Sequence, residues 1–489
     1  MTRSLEDDSV IYTTFAVIGG GIAGVSCAEQ LATEEPYANI VLISASSLVK
    51  AVKNVNKISE RLTEFDVEEE SYSCLENRHS NCQVIIAEAT GINSSKHEIL
   101  LSNKQSVFYQ KLCICTGAVP KVITEDSPYV IGIRDTETIE IFQQKLSNAR
   151  RVLIVGNGGI ATELVYEIEN CEIIWAIKDR SVGVTFFDAG AAQFFLPCLN
   201  ETKQQESPVC KRIKYSVDGP PQRSLCMGSA LGPDWSMYVN TKGKTKEVRN
   251  VHVEYECELK ALYERQDFLN KGLKVNRLDT DENKWPVFVE LTNGSIFGCD
   301  FIVSATGVMP NVLGWLQNDE FSLADDGGIM IDDQMKTSVE DVFAAGDVCT
   351  ASWPLSQHWF QMRLWTQARQ MGAYAAKCMS CSLHNETAIL DICFDLFTHV
   401  TRFFGYKVVL LGLFNGQKLG NDYDIILRVS DREEYVKVVM QDGRMQGAIL
   451  IGETDLEETF ENLILNQLDL SAYGEDILNP NIDIEDYFD

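Results

Sequence analysis

The fold is decided by residues 13–24, which read TTFAVIGGGIAG, and by residues 151–161, which read RVLIVGNGGIA. In each stretch an apolar strand runs into a glycine-rich turn. A helix-like segment follows each turn, at residues 25–33 and 162–169. A lone glycine-rich turn is a weak signal, but a turn between a strand and a helix has the context of a dinucleotide-binding unit. Two such units predict two bound dinucleotides.

The glycines of this motif have separate roles. The first one makes the tight turn, the second lets the backbone approach a pyrophosphate, and the third position lets helix and strand pack closely. The phosphates then lie on the helix N-terminus, where backbone N–H groups are free. The cofactor-binding residues predicted from the two turns are Gly19, Gly20, Gly21, Ile22, Ala23, Gly24, Gly156, Asn157, Gly158, Gly159 and Ile160.

Length and charge exclude several classes of protein. At 489 residues the chain is long for one core and predicts two or three domains. The net charge of −29 argues against a nucleic-acid-binding surface, because phosphate neutralisation needs clustered Lys and Arg. No apolar stretch has the length of a membrane span, and the first residues contain no signal-peptide core. We therefore expect a protein of the cytosol or nucleus with no membrane contact.

The 15 cysteines do not form the pattern of a disulfide framework. An odd, scattered set in a chain of this size predicts reduced, buried thiols. Cys113 and Cys115 alternate on an apolar strand, and Cys27 lies on the helix after the first turn, so we expect all three to be packing residues. We expect no bound metal.

Three further landmarks follow apolar strands, at residues 116–117 (TG), 305–307 (ATG) and 344–347 (AAGD). With the two turns, they resemble the two-dinucleotide-binding-domain flavoproteins of the class I pyridine nucleotide-disulfide oxidoreductase family. The resemblance implies that the first turn holds the FAD pyrophosphate and that the second binds NAD(P)H. It also implies that Thr116 and Gly117 close under the flavin, Gly307 returns the chain to the FAD domain, and Gly346 and Asp347 bind the ribityl or phosphate end of FAD.

The resemblance also implies the architecture. The expected class is α/β, with two Rossmann-like domains, of which the FAD domain is split in sequence and the NAD(P)H domain is inserted, and a C-terminal α+β domain. We predict the FAD domain at 1–148 and 299–385, and the NAD(P)H domain at 149–298. The latter carries an insertion at about 201–249, where periodicity fades. Residues 386–489 form the last domain and end in an acidic tail.

The chain departs from disulfide reductases at both places where their chemistry resides. Those enzymes carry a Cys pair after the second strand, but residues 44–54 read SASSLVKAVKN. The acid–base His near the C-terminus is also missing, because residues 452–458 read GETDLEE. Dithiol exchange therefore has no apparatus. The main hypothesis is an FAD-dependent NAD(P)H oxidoreductase whose electrons leave to oxygen, a quinone-like molecule or a protein.

The ribose positions differ from the common pattern. About 20 positions after the first turn, where an acid usually binds a ribose hydroxyl, the chain has Ser44, a weaker substitute. After the second turn, Lys178 and Arg180 would suit a 2′-phosphate, whereas Asp179 would suit ribose hydroxyls. The sequence leaves NADH and NADPH open.

A further set of predicted residues concerns the flavin ring. Lys50, Lys53 and Lys57 are the chargeable candidates, since a lysine close to the ring would stabilise a reduced anionic flavin. The resemblance makes Lys50 the first choice as a catalytic and cofactor-binding residue, because the family member that this chain resembles also has it. The alternative is that all three are exposed lysines on a helix face. Trp359 and Trp365 fall in a helix-like run, residues 359–376, that abuts the flavin in the family; packing is their more common role.

A closer resemblance to one family member is carried by residues 228–235 (GSALGPDW), 362–372 (MRLWTQARQMG) and 482–489 (IDIEDYFD). It implies a role in oxidative-stress protection, a place in cytoplasm, nucleus and the muscle sarcomere, and a tRNA-splicing RNA ligase complex as partner. The alternative hypothesis is thus a redox-gated flavoprotein that shields this partner. The insertion and the acidic tail would dock it. A third hypothesis is a thiol-disulfide reductase acting through Cys378 and Cys381.

Overall fold

The computed structural model describes residues 10–124, 127–199, 239–245, 250–275, 285–314 and 321–480. Most of the predicted insertion at about 201–249 lies outside the described residues, and so does the acidic end at 481–489. Among the described helices, none is both long enough and apolar enough to cross a membrane.

Strands and helices alternate around the first glycine turn. In chain order these elements are β1 (Val10–Tyr12), β2 (Phe15–Ile18), α1 (Ile22–Glu34), β3 (Ile40–Ser44), β4 (Leu48–Lys57), β5 (Thr63–Ser71), α2 (Tyr72–Arg78), β6 (Cys82–Ile86), β7 (Ala89–Asn93), β8 (Glu98–Leu101), β9 (Ser106–Phe108), β10 (Lys111–Ile114), β11 (Ala118–Pro120), β12 (Val130–Gly132) and α3 (Thr136–Leu146).

The pattern repeats around the second turn. The elements there are β13 (Arg151–Val155), α4 (Gly159–Glu167), β14 (Glu172–Ala176), α5 (Ala189–Phe195), β15 (Asn250–Glu254), β16 (Leu259–Glu264), α6 (Arg265–Asn270), β17 (Val287–Leu291), β18 (Ile296–Cys299) and β19 (Phe301–Ser304).

The remaining elements return to the first unit and then form the C-terminal domain. They are β20 (Val308–Pro310), β21 (Ile329–Ile331), β22 (Val342–Ala344), β23 (Cys349–Ala351), α7 (Trp365–Leu383), β24 (Thr398–Phe403), β25 (Tyr406–Gly412), β26 (Asp424–Ser430), β27 (Glu434–Gln441), β28 (Arg444–Ile451) and α8 (Glu457–Asn466).

Two parallel five-stranded sheets carry the two glycine turns. The first has the order β22-β10-β2-β3-β6, and the second has the order β12-β19-β13-β14-β15. Every residue of β2, β3 and β13 is buried, as expected for parallel strands covered on both faces. The strand β22 belongs to the first sheet but follows every strand of the second sheet along the chain. The first unit is therefore split in sequence, as predicted.

The crossover between the two units involves residues on both sides of the predicted boundaries. The strands β11 and β20 pair with each other and lie side by side where the chain leaves and re-enters the first unit. The second sheet includes β12 and β19, which fall outside the predicted range 149–298. β19 pairs in parallel with β13 on one side and with β12 on the other, so both β12 and β19 belong to the second sheet.

The C-terminal domain is an antiparallel sheet of order β24-β25-β28-β27-β26, with α8 packed against it. With the two parallel sheets, it confirms the predicted α/β class with a final α+β domain.

The predicted helical run 359–376 begins too early, since α7 starts at Trp365 and continues to Leu383. Gln367 explains the difference, because its side chain accepts from the Met362 N–H at 2.7 Å and donates to the Phe360 carbonyl at 2.9 Å. These bonds hold the preceding segment in a non-helical path. Trp359 therefore does not lie on the helix; it is buried and stacks on Trp353.

Candidate functional site

The two glycine turns have the same backbone geometry. Gly19 has a φ of 122° and Gly156 a φ of 130°, a region that favours glycine. A Cβ at Gly19 would collide with the Cys115 carbonyl, and one at Gly156 would collide with the Ala305 carbonyl. In both units the obstacle is the strand that precedes a Thr-Gly pair. The first glycine is therefore required by the turn itself.

The second glycine of each motif faces open space. Gly21 and Gly158 are the N-caps of α1 and α4, and neither helix has a side chain that caps its first N–H groups. A Cβ at either glycine would meet no atom within 4 Å. Each turn thus presents a helix N-terminus with free N–H donors, the arrangement that binds a diphosphate.

The third positions serve helix packing. A Cβ at Gly24 would collide with the Gly19 carbonyl, and Ala161 is fully buried. Gly346, with a φ of 82°, is constrained in a similar way, because a Cβ there would lie 2.8 Å from the Ala23 Cβ. These three residues allow close packing behind the cavity wall and do not themselves line the cavity.

Both turns open onto one cavity of about 590 Å³. Its wall combines the two parallel-sheet units with the strand β24 of the C-terminal sheet. The predicted site residues in this wall are Gly19, Gly20, Gly21, Ile22, Ala23, Ser44, Thr116, Gly117, Gly158, Gly159, Ile160, Gly307 and Asp347. The other predicted residues lie behind the wall or away from it: Gly24, Lys50, Gly156, Asn157, Lys178 and Gly346.

Asn157 supports the second turn from behind. Its Nδ2 donates to Asp179 Oδ2 and to the Ser181 carbonyl, both at 2.9 Å, and its Oδ1 accepts from the Gly183 N–H at 2.6 Å. The side chain thereby ties the turn to the loop after β14.

Lys50 lies on β4, beside the first turn. The backbone N–H of Lys50 donates to the Gly20 carbonyl at 3.0 Å, and the side-chain ammonium is 2.7 Å from the Glu69 carboxylate. Lys53 pairs with Glu70 on the same hairpin, so these lysines lie on a strand. The side chain of Lys50 is buried in an ion pair, and its role toward the flavin stays a prediction.

The first ribose position contains a carboxylate that the sequence analysis missed. The Ser44 hydroxyl donates to the Ser46 carbonyl at 2.7 Å. Beside it, β6 runs parallel to β3 and leads to Glu88, which lines the cavity. The strand order, which places the end of β6 next to Ser44, is the signal that could have found this residue.

At the second ribose position, two of the three charged side chains already interact with other residues of the chain. Asp179 accepts a hydrogen bond from Asn157, whereas the Arg180 guanidinium is 2.9 Å from Glu256. Lys178 is exposed. The Asp179 carboxylate is thus held in place by Asn157, whereas the Arg180–Glu256 pair lies in solvent and binds only weakly.

The crossover segments are tied together across the cavity wall. The Thr116 hydroxyl donates to the Asn311 carbonyl at 2.8 Å, and Asn311 Nδ2 donates back to the Thr116 carbonyl at 3.2 Å. Gly117 and Gly307 adopt φ angles of 69° and 99°. The two Thr-Gly segments therefore form one unit at the floor of the cavity.

Charged groups meet at the end of the cavity near α1. Burial raises the pKa of Asp347 to about 6, although Arg363 and Arg134 oppose the shift. Its carboxylate has no hydrogen bond or ion pair within the described part of the chain. Arg134, which sequence reasoning missed, is mostly buried with Nε and Nη1 unpartnered there, and burial lowers its pKa. Both groups need a ligand.

The helix α7 contributes a third free N-terminus. Its N-cap is Leu364, with no side-chain capping bond, and Leu364, Trp365 and Ala368 line the cavity. The carboxylate, the unpartnered guanidinium, the bare glycines and the helix ends fit two dinucleotides, whose diphosphates the N-termini of α1 and α4 would hold.

Thiols are nearly absent from this wall. Within the described residues that line the cavity, Cys115 is the one cysteine, and its Sγ is 3.5 Å from that of the buried Cys113. Cys27 is also buried, as predicted. Cys378 and Cys381 lie on α7 outside the wall, and burial raises the pKa of Cys378 to about 12.

The fold and this cavity define a class of flavin- and nicotinamide-dependent oxidoreductases. The model of the pyridine nucleotide-disulphide oxidoreductase family matches residues 13–199 and 229–372, and the chain belongs to this family. The rubredoxin NAD+ reductase C-terminal domain matches residues 400–468. The cofactors of the family are FAD and NAD(P)H, as the sequence predicts.

Individual relatives agree with this assignment. "Pyridine nucleotide-disulfide oxidoreductase domain-containing protein 1" of Pongo abelii is 54% identical over 488 residues, covering 97% of this chain and 98% of that protein. Two solved structures share the fold. The putidaredoxin reductase–putidaredoxin complex has a TM-score of 0.63 at 15% identity, covering 94% of both chains. The water-forming NADH oxidase from Lactobacillus brevis has a TM-score of 0.62 at 14% identity, covering 94% and 92%.

Proposed function

We propose that this chain is an FAD-dependent NAD(P)H oxidoreductase that transfers electrons without a protein dithiol. The observation that carries the proposal is the pair of matching glycine turns that open onto one cavity, whose described wall contains a single buried cysteine. When bound, FAD supplies a ring that accepts a hydride from NAD(P)H and passes the electrons on.

The residues of the chain bind and orient the two nucleotides. The N-terminus of α1 would hold the first diphosphate. The Arg134 guanidinium, whose Nη2 donates to the Thr116 carbonyl at 3.5 Å, would bind an oxygen atom of the nucleotide beside Thr116. Asp347 accepts hydrogen bonds from hydroxyl groups at the same end. The N-terminus of α4 holds the second diphosphate. Thr116 and Gly307, fixed by the crossover hydrogen bonds, close the floor below the rings.

The electron acceptor is then an external molecule. A thiol acts as a nucleophile only as the thiolate, and Cys378 stays protonated at neutral pH because burial raises its pKa to about 12. Oxygen, a quinone-like molecule or a redox protein would take the electrons directly. The solved relatives of the same fold include enzymes named for oxygen reduction and for reduction of a small redox protein.

An anaerobic titration of the purified holoprotein with NADH and NADPH tests this proposal. We expect either nucleotide to bleach the flavin, and oxygen, quinones or dyes to restore it. A flavin that neither nucleotide reduces, or that no acceptor reoxidises, would contradict the proposal. The double variant C378S/C381S is the control: unchanged turnover is expected, and loss of turnover would favour the thiol-disulfide reductase.

The same titration separates enzyme from shielding protein. A long-wavelength charge-transfer band that persists in air would favour a long-lived flavin–nicotinamide complex that protects a partner, such as a tRNA-splicing RNA ligase complex of cytoplasm and nucleus under oxidative stress. The elements that would dock this partner, the insertion at about 201–249 and the acidic tail, are then the segments to delete. Flavin reduction should survive that deletion while protection is lost.

A further inference from the structure

The cavity wall contains one histidine within the described residues, His399 on β24. The imidazole is 1% exposed, and its Nε2 has no hydrogen-bond partner in the described part of the chain. Its Nδ1 is 2.9 Å from Thr366 Oγ1 on α7. A buried polar atom without a partner costs about 1–3 kcal/mol, and in the wall of a cavity a ligand can satisfy it.

The contact with Thr366 determines which nitrogen carries the proton. Thr366 is buried, and within the described residues its hydroxyl forms one hydrogen bond, with His399 Nδ1. A hydroxyl that donates to Nδ1 requires Nδ1 to be unprotonated, which leaves the proton on Nε2. The reverse tautomer would leave two buried groups without a partner, the hydroxyl proton and the Nε2 lone pair, whereas this one leaves only the Nε2–H. The geometry thus makes Nε2–H a free donor on the ring edge opposite Thr366.

The imidazole is also neutral. Burial lowers the pKa of His399 to about 3, and no carboxylate pairs with the ring within the described residues. The group therefore offers a hydrogen-bond donor without a charge over the whole physiological range of pH.

His399 lies between the two nucleotide-binding units. The Trp365 ring, at the N-terminus of α7, is 5.2 Å away, and the Phe186 ring is 6.3 Å away. Phe186 in turn lies against Gly159 of the second turn, where a Cβ would be 3.4 Å from its ring. Planar rings and one neutral donor thus line the cavity at the junction of both units.

We propose that His399 is a binding residue for the ring end of the bound nucleotides, whose Nε2–H donates a hydrogen bond to a carbonyl oxygen of a planar heteroaromatic ring. This rests on the proposed function, because it takes FAD and NAD(P)H as the occupants of the cavity. The isoalloxazine and the nicotinamide carboxamide both carry such an oxygen, and the experiment distinguishes them. Thr366 is the positioning residue that fixes the tautomer.

The experiment compares His399→Gln, which keeps an N–H donor near the Nε2 position, with His399→Phe, which keeps a planar ring and removes it. If the isoalloxazine is the acceptor, H399F shifts the flavin spectrum and midpoint potential in the absence of nucleotide, and H399Q restores both. If the carboxamide is the acceptor, H399F raises the Kd of NAD⁺ about five- to tenfold. The Kd of ADP-ribose, which lacks the nicotinamide, stays unchanged.

Two results would overturn the inference. One is an H399F protein with unchanged flavin spectrum, midpoint potential and NAD⁺ affinity. The other is equal losses in H399Q and H399F. Retention of FAD and binding of ADP-ribose by the wild-type protein test the proposed function separately.

A second measurement does not depend on the stability of these variants. The wild-type holoprotein has six histidines, so their ring ¹⁵N resonances can be resolved and assigned. We expect His399 to carry its proton on Nε2 from pH 5.5 to 8, and Thr366→Val to weaken that preference. A proton on Nδ1 in the wild-type protein would overturn the inference.

Discussion

Asp347 is a residue that lowers the stability of the FAD-free protein and is expected to strengthen the binding of FAD. Its carboxylate is unpaired within the described residues, and burial raises its pKa from 3.8 to about 6. In the FAD-free protein, stability is therefore highest when this group is protonated. It falls as pH rises from about 4 through 6, because the folded state binds the proton more tightly than the unfolded state.

We predict that Asp347→Asn stabilises the FAD-free protein at pH 7.5, by ~2 kcal/mol or less, and leaves it nearly unchanged at pH 4. The same substitution should weaken FAD binding about tenfold, since a charged acceptor of hydroxyl hydrogen bonds is lost. Thermal unfolding of the FAD-free protein at both pH values, with FAD titrations at pH 7.5, measures this. Destabilisation at pH 7.5 would contradict the prediction.

The second residue-scale prediction concerns the choice of nucleotide. Because Asn157 holds the Asp179 carboxylate just after β14, where it would repel a 2′-phosphate, we expect NADH to bind more tightly than NADPH. Asp179→Asn keeps the acceptor for Asn157 and should reduce the preference about tenfold. Glu256→Gln, which frees Arg180, should act in the same direction. Kd values from flavin-fluorescence titrations of the holoprotein are decisive, and a wild-type preference for NADPH would disprove the idea.

Sequence reasoning found the residues whose role is local and missed those whose role depends on distant packing. Gly19 and Gly156 could be predicted because a tight strand–helix turn demands them wherever it occurs. Arg134, Arg363 and His399 could not, because each reaches the cavity from an element that no short motif connects to the turns. Asn157 fits the motif pattern, but its side chain supports the turn from behind.

At the scale of elements, the turns β2–α1 and β13–α4 are interchangeable in geometry, which allows a matched test. Gly156→Ala should destabilise the protein, because its Cβ would collide with the Ala305 carbonyl at a positive φ. Gly158→Ala meets open space and should leave folding and FAD content intact. It should nevertheless weaken NADH binding about tenfold or more, since the methyl group occupies the approach of the diphosphate.

Calorimetry, FAD content and NADH titration of both variants check this pair. Equal thermal stability of the two variants would contradict the geometry of the turn. The corresponding pair in the first unit, Gly19→Ala and Gly21→Ala, should show the same contrast with FAD in place of NADH.

The limits of sequence reasoning at this scale lie at the ends of elements. The strands β2, β3 and β13 could be predicted from continuous apolar runs, because both faces of a parallel sheet are covered and every residue of such a strand is buried. The start of α7 was placed too early because the two side-chain hydrogen bonds of Gln367 that hold residues 359–364 out of the helix leave no trace in hydrophobic periodicity.

At the scale of the whole molecule, a buried ion pair joins the second unit to the C-terminal sheet. Lys437 on β27 is 1% exposed and contacts Asp188 at 2.5 Å and Asn415 at 2.8 Å. Burial lowers the pKa of Lys437, so its charge persists because of this pair. Removing one partner of such a pair leaves a charge without compensation.

We therefore predict that Lys437→Met destabilises the protein by about 3 kcal/mol. Lys260→Met is the matched control, because the Lys260 side chain, also close to its partner at 2.6 Å from Glu290, is 58% exposed. That control should lose no more than about 1 kcal/mol. Denaturant unfolding monitored by flavin release and by circular dichroism measures both, and equal losses would refute the argument.

The order of elements along the chain has a consequence for biosynthesis. The FAD-side wall joins β2 to β22, α7 and finally β24, which all follow β2 along the chain and are translated after it. At roughly 5–20 residues per second, a ribosome needs about 20–80 s to travel from the first of these to the last. We therefore expect the flavin to be captured only after β24 has been translated. A chain that ends before residue 399 lacks part of this wall, and we expect it to retain no flavin.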